Sequence, residues 1–242
     1  MNLETSLTIA AKEWKVLRRT RSIFAYTVGL PLFISIVFSL YISNQWTSGL
    51  PSDYSLGLVM LTFVFVILAA VLPSAIAAYS IVGEKIEKSL EPLLVTPVTD
   101  SEVLLGKGIA SFVPPILATW AGASIFMATA DFVLYRSLSF YYFPNWNAGI
   151  MLLILAPLAA LSGIGLAIIA SSHLSDVRAA NQIAGLVYLP FLLIFVAGST
   201  GAITLNVGNL LILSGILLIV DFVLFYLNRA TFKREEILTK WK

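Results

Sequence analysis

Few residues in this chain have the chemistry for catalysis. There is one histidine, His173, and no cysteine, which leaves no thiol nucleophile, no disulfide and no multi-histidine metal site. Ser199 lies in Gly198-Ser199-Thr200-Gly201, not in the Gly-x-Ser-Gly order of intramembrane serine hydrolases. The apolar runs put it a membrane thickness from His173, where a serine–histidine pair needs about 3 Å. Gly106-Lys107 matches two positions of a phosphate-binding loop, but Ser101 stands where the first glycine is required and Gly108 replaces the Ser/Thr. The chain therefore supplies no ATPase of its own. What remains is Asp221, an ionisable group inside an apolar run. A carboxylate there costs about 2.5–3.5 kcal/mol at the centre of a spanning helix and faces protein or water. It is either a hydrogen-bonded structural carboxyl or a contact for a cation, a proton or a substrate on a translocation path.

A second kind of chemistry, docking, is written into Gly83 to Gly108, the longest polar interruption of an apolar sequence. Leu90, Leu93 and Leu94 sit at i, i+3 and i+4, so a helix gives them one face. Glu84, Lys85, Glu87, Lys88 and Glu91 surround them. Ser89 is a fair N-cap, and Pro92 falls in the first turn, where its missing N–H does no harm. Pro97 ends that helix, and Thr99 and Glu102 have the spacing of a capping box that starts the next.

The elements that must position these residues are membrane spans. Of the 242 residues 59% are hydrophobic and only 12% charged, against roughly 25% charged in soluble domains. Each span needs about 20 apolar residues to cross about 30 Å of hydrocarbon. The runs predict six, at about 23–43, 57–81, 104–128, 148–170, 181–201 and 208–228. Before them, residues 3–20 read as an amphipathic helix with Leu3, Leu7, Ala10, Trp14 and Leu17 on one stripe, suited to a membrane interface, the alternative being an ordinary amphipathic helix packed on protein. The expected fold is all-α: a polytopic membrane protein with an N-terminal interfacial helix plus six transmembrane helices, in a single domain over 1–242.

Charge orients the spans. Of the 15 basic residues, all but Arg136 fall on one side, which the positive-inside rule makes cytoplasmic, with both termini there. The net charge of +2 gives no reason to expect nucleic acid. The opposite connection, Asp131 to Asn147, is aromatic-rich and reads as an interfacial belt or as a lid over a lipophilic path. Pro31, Pro73, Pro114, Pro115, Pro157 and Pro190 lie inside spans, where each removes a backbone hydrogen bond. Ala159, Gly163 and Ala167 permit close helix contact, within the bundle or across a dimer.

Residues 83–108 resemble the permease subunits of ABC-2 type ATP-binding-cassette exporters. The resemblance is carried by Glu84, Lys85, Leu90, Glu91, Leu93, Leu94, Thr96, Pro97, Gly106 and Lys107, with Lys88-Ser89 in place of the family's Gly-Thr. The layout is similar too, with an elbow helix, six spans and both termini inside, and 171–190 is similar to the start of the family's fifth span. The resemblance implies a permease that forms the translocation path and docks a separate ATPase subunit through Glu84, Ser89, Leu90, Glu91, Leu93 and Leu94. It implies a second cytoplasmic contact at Asp176 and Arg178. It also implies a second permease copy, identical or not, and the plasma membrane of a prokaryote. No cofactor is expected on this chain; ATP and Mg would sit on the partner. Two rivals remain: a membrane anchor that docks a cytosolic protein without a pathway, and a secondary transporter coupled to ions through Asp221.

Overall fold

The computed structural model describes residues 3–46, 53–86, 98–174 and 177–231. The described residues form helices and no strand: α1 (Leu3–Arg19), α2 (Arg21–Trp46), α3 (Tyr54–Ile86), α4 (Asp100–Leu138), α5 (Trp146–Ile150), a π turn (Met151–Leu155), α6 (Ala156–His173), α7 (Val177–Gly185), α8 (Tyr188–Ser199) and α9 (Val207–Thr231). Six stretches are long and apolar enough to cross a membrane: Arg21–Trp46, Tyr54–Gly83, Ser101–Tyr135, Trp146–Ser172, Gln182–Ser199 and Val207–Arg229. The all-α polytopic class expected from composition is the one observed.

α3 and the π turn with α6 form the centre of the bundle, and α2 and α9 its outside. In the central pair 61% of the most apolar stretch is buried, against 17% in the outer pair. Three apolar clusters run along the axis. One joins Ile81, Val82, Val103, Ile168 and Ala184, with Val98 and Leu174 packed against it. This is the near end, where the chain enters α2. A middle cluster holds Phe63, Met151, Leu155, Phe191 and Leu210. The far end holds Trp46, Phe65, Phe126, Leu134 and Phe143. The small residues of α6 serve the bundle itself. A Cβ on Gly163 would overlap the Ala70 carbonyl oxygen of α3, and Ala159 and Ala167 are fully buried.

The start of α4 follows its sequence signature. The Thr99 N–H donates to Glu102 Oε2 at 3.0 Å, which occupies a donor that the first turn leaves over. Its end does not follow expectation. The connection placed from Asp131 begins only at Ser139, in a left-handed conformation with φ 60. No Gly or Pro interrupts Ala123 to Leu138, so nothing stops the helix, and Asp131 finds partners without leaving it.

The fifth apolar stretch departs more sharply. Expected as one span over 181–201, it is broken between α7 and α8 at Leu186–Val187. Pro190 has no N–H for the Leu186 carbonyl, and its ring clashes there. The turn closes instead with i→i−3 bonds from Leu186, Val187 and Leu189 to Ile183, Ala184 and Leu186, at 3.1, 3.2 and 3.1 Å.

Pro157, on the first turn of α6, is handled differently. The preceding π turn pairs the Ala156 N–H with the Met151 carbonyl, an i−5 register. In that register Leu152 O would receive the N–H of residue 157, which proline lacks. Trp120 Nε1 donates to Leu152 O instead, at 2.8 Å. Trp120→Phe should lower stability by about 1–3 kcal/mol, read as a drop in the melting temperature of detergent-solubilised protein. In a Pro157→Ala background the restored N–H can reach Leu152, and the same change should cost clearly less. Equal costs in both backgrounds would contradict this exchange of partners.

Candidate functional site

Three polar groups sit inside the apolar bundle, and each is built from helices that cross. The first joins α1, α3 and α4 at the near end. On α1, Ser6, Ala10 and Leu17 are buried. Glu13 shares their face, while Leu3, Leu7 and Trp14 stay exposed. The stripe expected to lie on the membrane therefore divides, with Ala10 and Leu17 on protein and Leu3, Leu7 and Trp14 outward. Gly106 makes the crossing close. A Cβ there would stand 2.7 Å from Ile9 Cβ and 2.8 Å from the Ser6 carbonyl oxygen.

One residue on, Lys107 is only 3% exposed. Its Nζ donates to Ser80 O at 2.8 Å and Ser80 Oγ at 2.9 Å, and pairs with Glu13 Oε1 at 3.5 Å. Ser80 Oγ in turn donates to Glu13 Oε2 at 2.9 Å. The ammonium's three donors thus meet three acceptors. A buried ion pair adds little net stability over an apolar replacement, but it fixes register, because any other arrangement strands a charge in hydrocarbon. This clasp gives Gly106-Lys107, which in the sequence carries part of a resemblance, a physical reason.

The second group is Asp221 on α9. It faces protein: Ser162 Oγ of α6 donates to Asp221 Oδ1 at 2.5 Å. Two buried oxygens nearby, Asp221 Oδ2 and Asn228 Oδ1, have no hydrogen-bond partner among the described residues. Asp221 lines a cleft of about 290 Å³ between α4, α6 and α9. The helices can come together below it because Gly165 leaves room. A Cβ there would stand 3.1 Å from Leu224 Cβ and 3.2 Å from Asn228 Nδ2.

The third group lies at the far end and escaped the sequence reading. Asp131 is 8% exposed. Its Oδ1 accepts from the backbone N–H groups of Tyr142 and Phe143, at 2.9 and 3.1 Å. The aromatic connection is thereby pinned back onto α4. Phe143 packs edge-on to Phe126 with centroids 6.1 Å apart, and Tyr142 against Tyr54 at 6.2 Å. Burial, and then the neighbouring Tyr54 phenol, push the Tyr142 hydroxyl above its ordinary pKa. Phe132, Tyr141 and Trp146 remain outward, the disposition of an interfacial belt. A carboxylate beside a run of aromatics was the one available signal, but nothing in the spacing says that it accepts from backbone eleven and twelve residues on.

Of the residues singled out by sequence, Ser89, Leu90, Glu91, Leu93, Leu94 and Asp176 lie outside the described residues. Glu84 is in the last turn of α3 and Arg178 in the first turn of α7. The described residues that flank these two stretches lie together, since Ile81, Val82, Val98, Leu174 and Ala184 share one cluster. Ser199 Oγ is spent on its own helix, donating to Val196 O at 2.8 Å.

These features define a polytopic helical membrane protein with an elbow helix clasped to its second and third spans. A family model described as ABC-2 family transporter protein matches residues 7–228. The chain belongs to that family and is a membrane-spanning permease of an ABC transporter. No curated protein matches it.

Lys107→Met leaves Glu13 desolvated and should cost about 3–5 kcal/mol, seen as a lower melting temperature and faster trypsin cleavage of α1. Combining it with Glu13→Gln should recover most of that loss, since neither charge remains. A double variant as weak as the sum of the singles would contradict the pairing.

Proposed function

We propose that this chain forms the translocation path of an ABC exporter and receives its motion from a separate ATPase subunit docked at residues 83–103. Leu90, Leu93 and Leu94 are the apolar centre of that contact, with Glu84, Ser89 and Glu91 at its rim and Asp176 and Arg178 in a second contact. The observation that supports this best is the clasp. The leucine-bearing segment joins the end of α3 to the start of α4, and Lys107 ties both helices to α1 within a few turns of it. A push on the segment is then delivered to three helices rather than absorbed by one. The cluster under Val98 and Leu174 supports two neighbouring contacts on one ATPase surface.

In this reading ATP and Mg belong to the partner, and a second permease copy completes the path. Both termini and the docking segment are cytoplasmic, in the plasma membrane of a prokaryote. A partner biases the bundle only by binding its conformations with different affinity. The exposed apolar sides of α2 and α9 are consistent with lipid or a second copy as neighbours.

Burying one leucine is worth about 1.5–3 kcal/mol, and 1.4 kcal/mol is tenfold in affinity. Leu93→Asp should therefore leave the permease inserted and monodisperse while lowering co-purified ATPase at least tenfold, and transport with it. Lys88→Ala should have a mild effect, because rim charges tune association rate and salt dependence. Full ATPase binding by Leu93→Asp, with substrate-stimulated hydrolysis, would sink the docking role. For orientation, cysteines placed at Asn44 and Asn147 should react with an impermeant reagent in intact cells, and one at Lys88 should not. Equal labelling at Lys88 and Asn44 would reverse the topology.

A further inference from the structure

The cleft between α4, α6 and α9 does more than accommodate helix packing. Its wall is apolar, with Leu104 and Phe112 from α4, Ile164 from α6 and Phe225 from α9. Into this wall two polar groups of α9 are set, Asp221 and Asn228. They are seven residues apart, two helical turns, and so share a face. Ser162 satisfies one oxygen of Asp221, while Asp221 Oδ2 and Asn228 Oδ1 are buried acceptors with no donor among the described residues. Both gaps are of one kind: each lacks a hydrogen-bond donor, and one of them adjoins a carboxylate in hydrocarbon, where it is costly without a counter-charge. Phe112 and Phe225 also line the cleft, and aromatic rings attract cations held over their faces. The space, about 290 Å³, falls just under the range for small-molecule pockets, roughly 300–1,000 Å³, and suits a small ligand.

We propose that this cleft is a binding site for lipophilic amines in their cationic form, with the Asp221 carboxylate as counter-charge, Asn228 as a second acceptor and the aromatic wall holding the apolar body. The assignment of such amines as transport substrates rests on the exporter reading; the binding site does not. Leu104 and Leu105 of the wall lie in the first two turns of α4. A bound amine therefore touches the same helix end that the docking segment enters and the clasp holds.

The test uses three probes of one shape and different charge, namely 1-naphthylmethylammonium, 1-naphthalenemethanol and 1-naphthoate. Their binding to the full-length permease in nanodiscs is measured by equilibrium dialysis, with empty nanodiscs subtracted. The ammonium should bind at least tenfold more tightly than the alcohol, and the naphthoate most weakly. Asp221→Asn should abolish the preference for ammonium over alcohol. Gly108 also lines the cleft, and a Cβ there meets nothing within 4 Å. Gly108→Leu should therefore fold normally and weaken both the ammonium and the alcohol at least tenfold by filling the space. Equal binding of ammonium and alcohol to the natural chain would overturn the proposal. So would an undiminished preference in Asp221→Asn, or unchanged binding in Gly108→Leu should the aspartate variant fail to fold. No ATPase is present in the assay, so failure of the exporter reading does not alter its outcome.

Discussion

Hydrocarbon offers no water to an unpaired polar group, so every backbone donor, acceptor and charge inside the bundle must find its partner in protein. Much of this structure follows from that constraint. Proline at 157 leaves the Leu152 carbonyl without its N–H, and an indole from another helix takes its place. A lysine at 107 is tolerated because three acceptors from two helices converge on it. An aspartate at 131 stays helical because the connection beyond α4 folds back to donate to it. Each solution ties together helices distant in sequence, so the polar groups act as locators. The apolar clusters give the bundle its cohesion, while the polar contacts give it register, since packed leucines slide at low cost and a stranded charge does not.

Buried Ser35, Ser111, Thr119, Asp221 and Asn228 each keep a side-chain oxygen without a partner among the described residues, and of these Asp221 alone is a carboxylate. A purely structural carboxyl would be surrounded by donors, as Asp131 is. Asp221 has one donor, on one oxygen; its other oxygen is buried without one, and the residue lines an apolar cleft.

Spans are one-dimensional features, and the sequence reveals them well: run length suffices for six apolar stretches and an elbow, and Thr99 with Glu102 marks the start of α4. What depends on crossing helices is not legible. Six prolines look alike in the sequence, yet Pro31, Pro73, Pro114 and Pro115 lie inside continuous helices, while Pro190 coincides with a break. Spacing does not encode the difference. Gly106-Lys107 was visible as a motif, but its purpose needed α1 to lie across it. Asp131 reads as the edge of a loop in the sequence because its partners arrive from beyond the helix end. Asp221 was visible from its cost alone; the cleft beside it was not.

The elbow helix, the end of α3 and the start of α4 meet in one buried polar contact, and the segment proposed to receive the ATPase joins the latter two. On the proposed function these three helix segments move as one body through the transport cycle. The natural absence of cysteine permits a direct measurement. Spin labels on Lys15→Cys in α1 and Leu117→Cys in α4, both at exposed positions, report the distance between the helices by pulsed electron paramagnetic resonance. The permease would be reconstituted with its ATPase and compared without nucleotide and after trapping with ATP and vanadate. The account predicts a distance distribution with the same centre in both states. A displacement approaching one helical turn, about 5.4 Å, would show that α1 slides past α4 during the cycle and that the clasp does not hold them together.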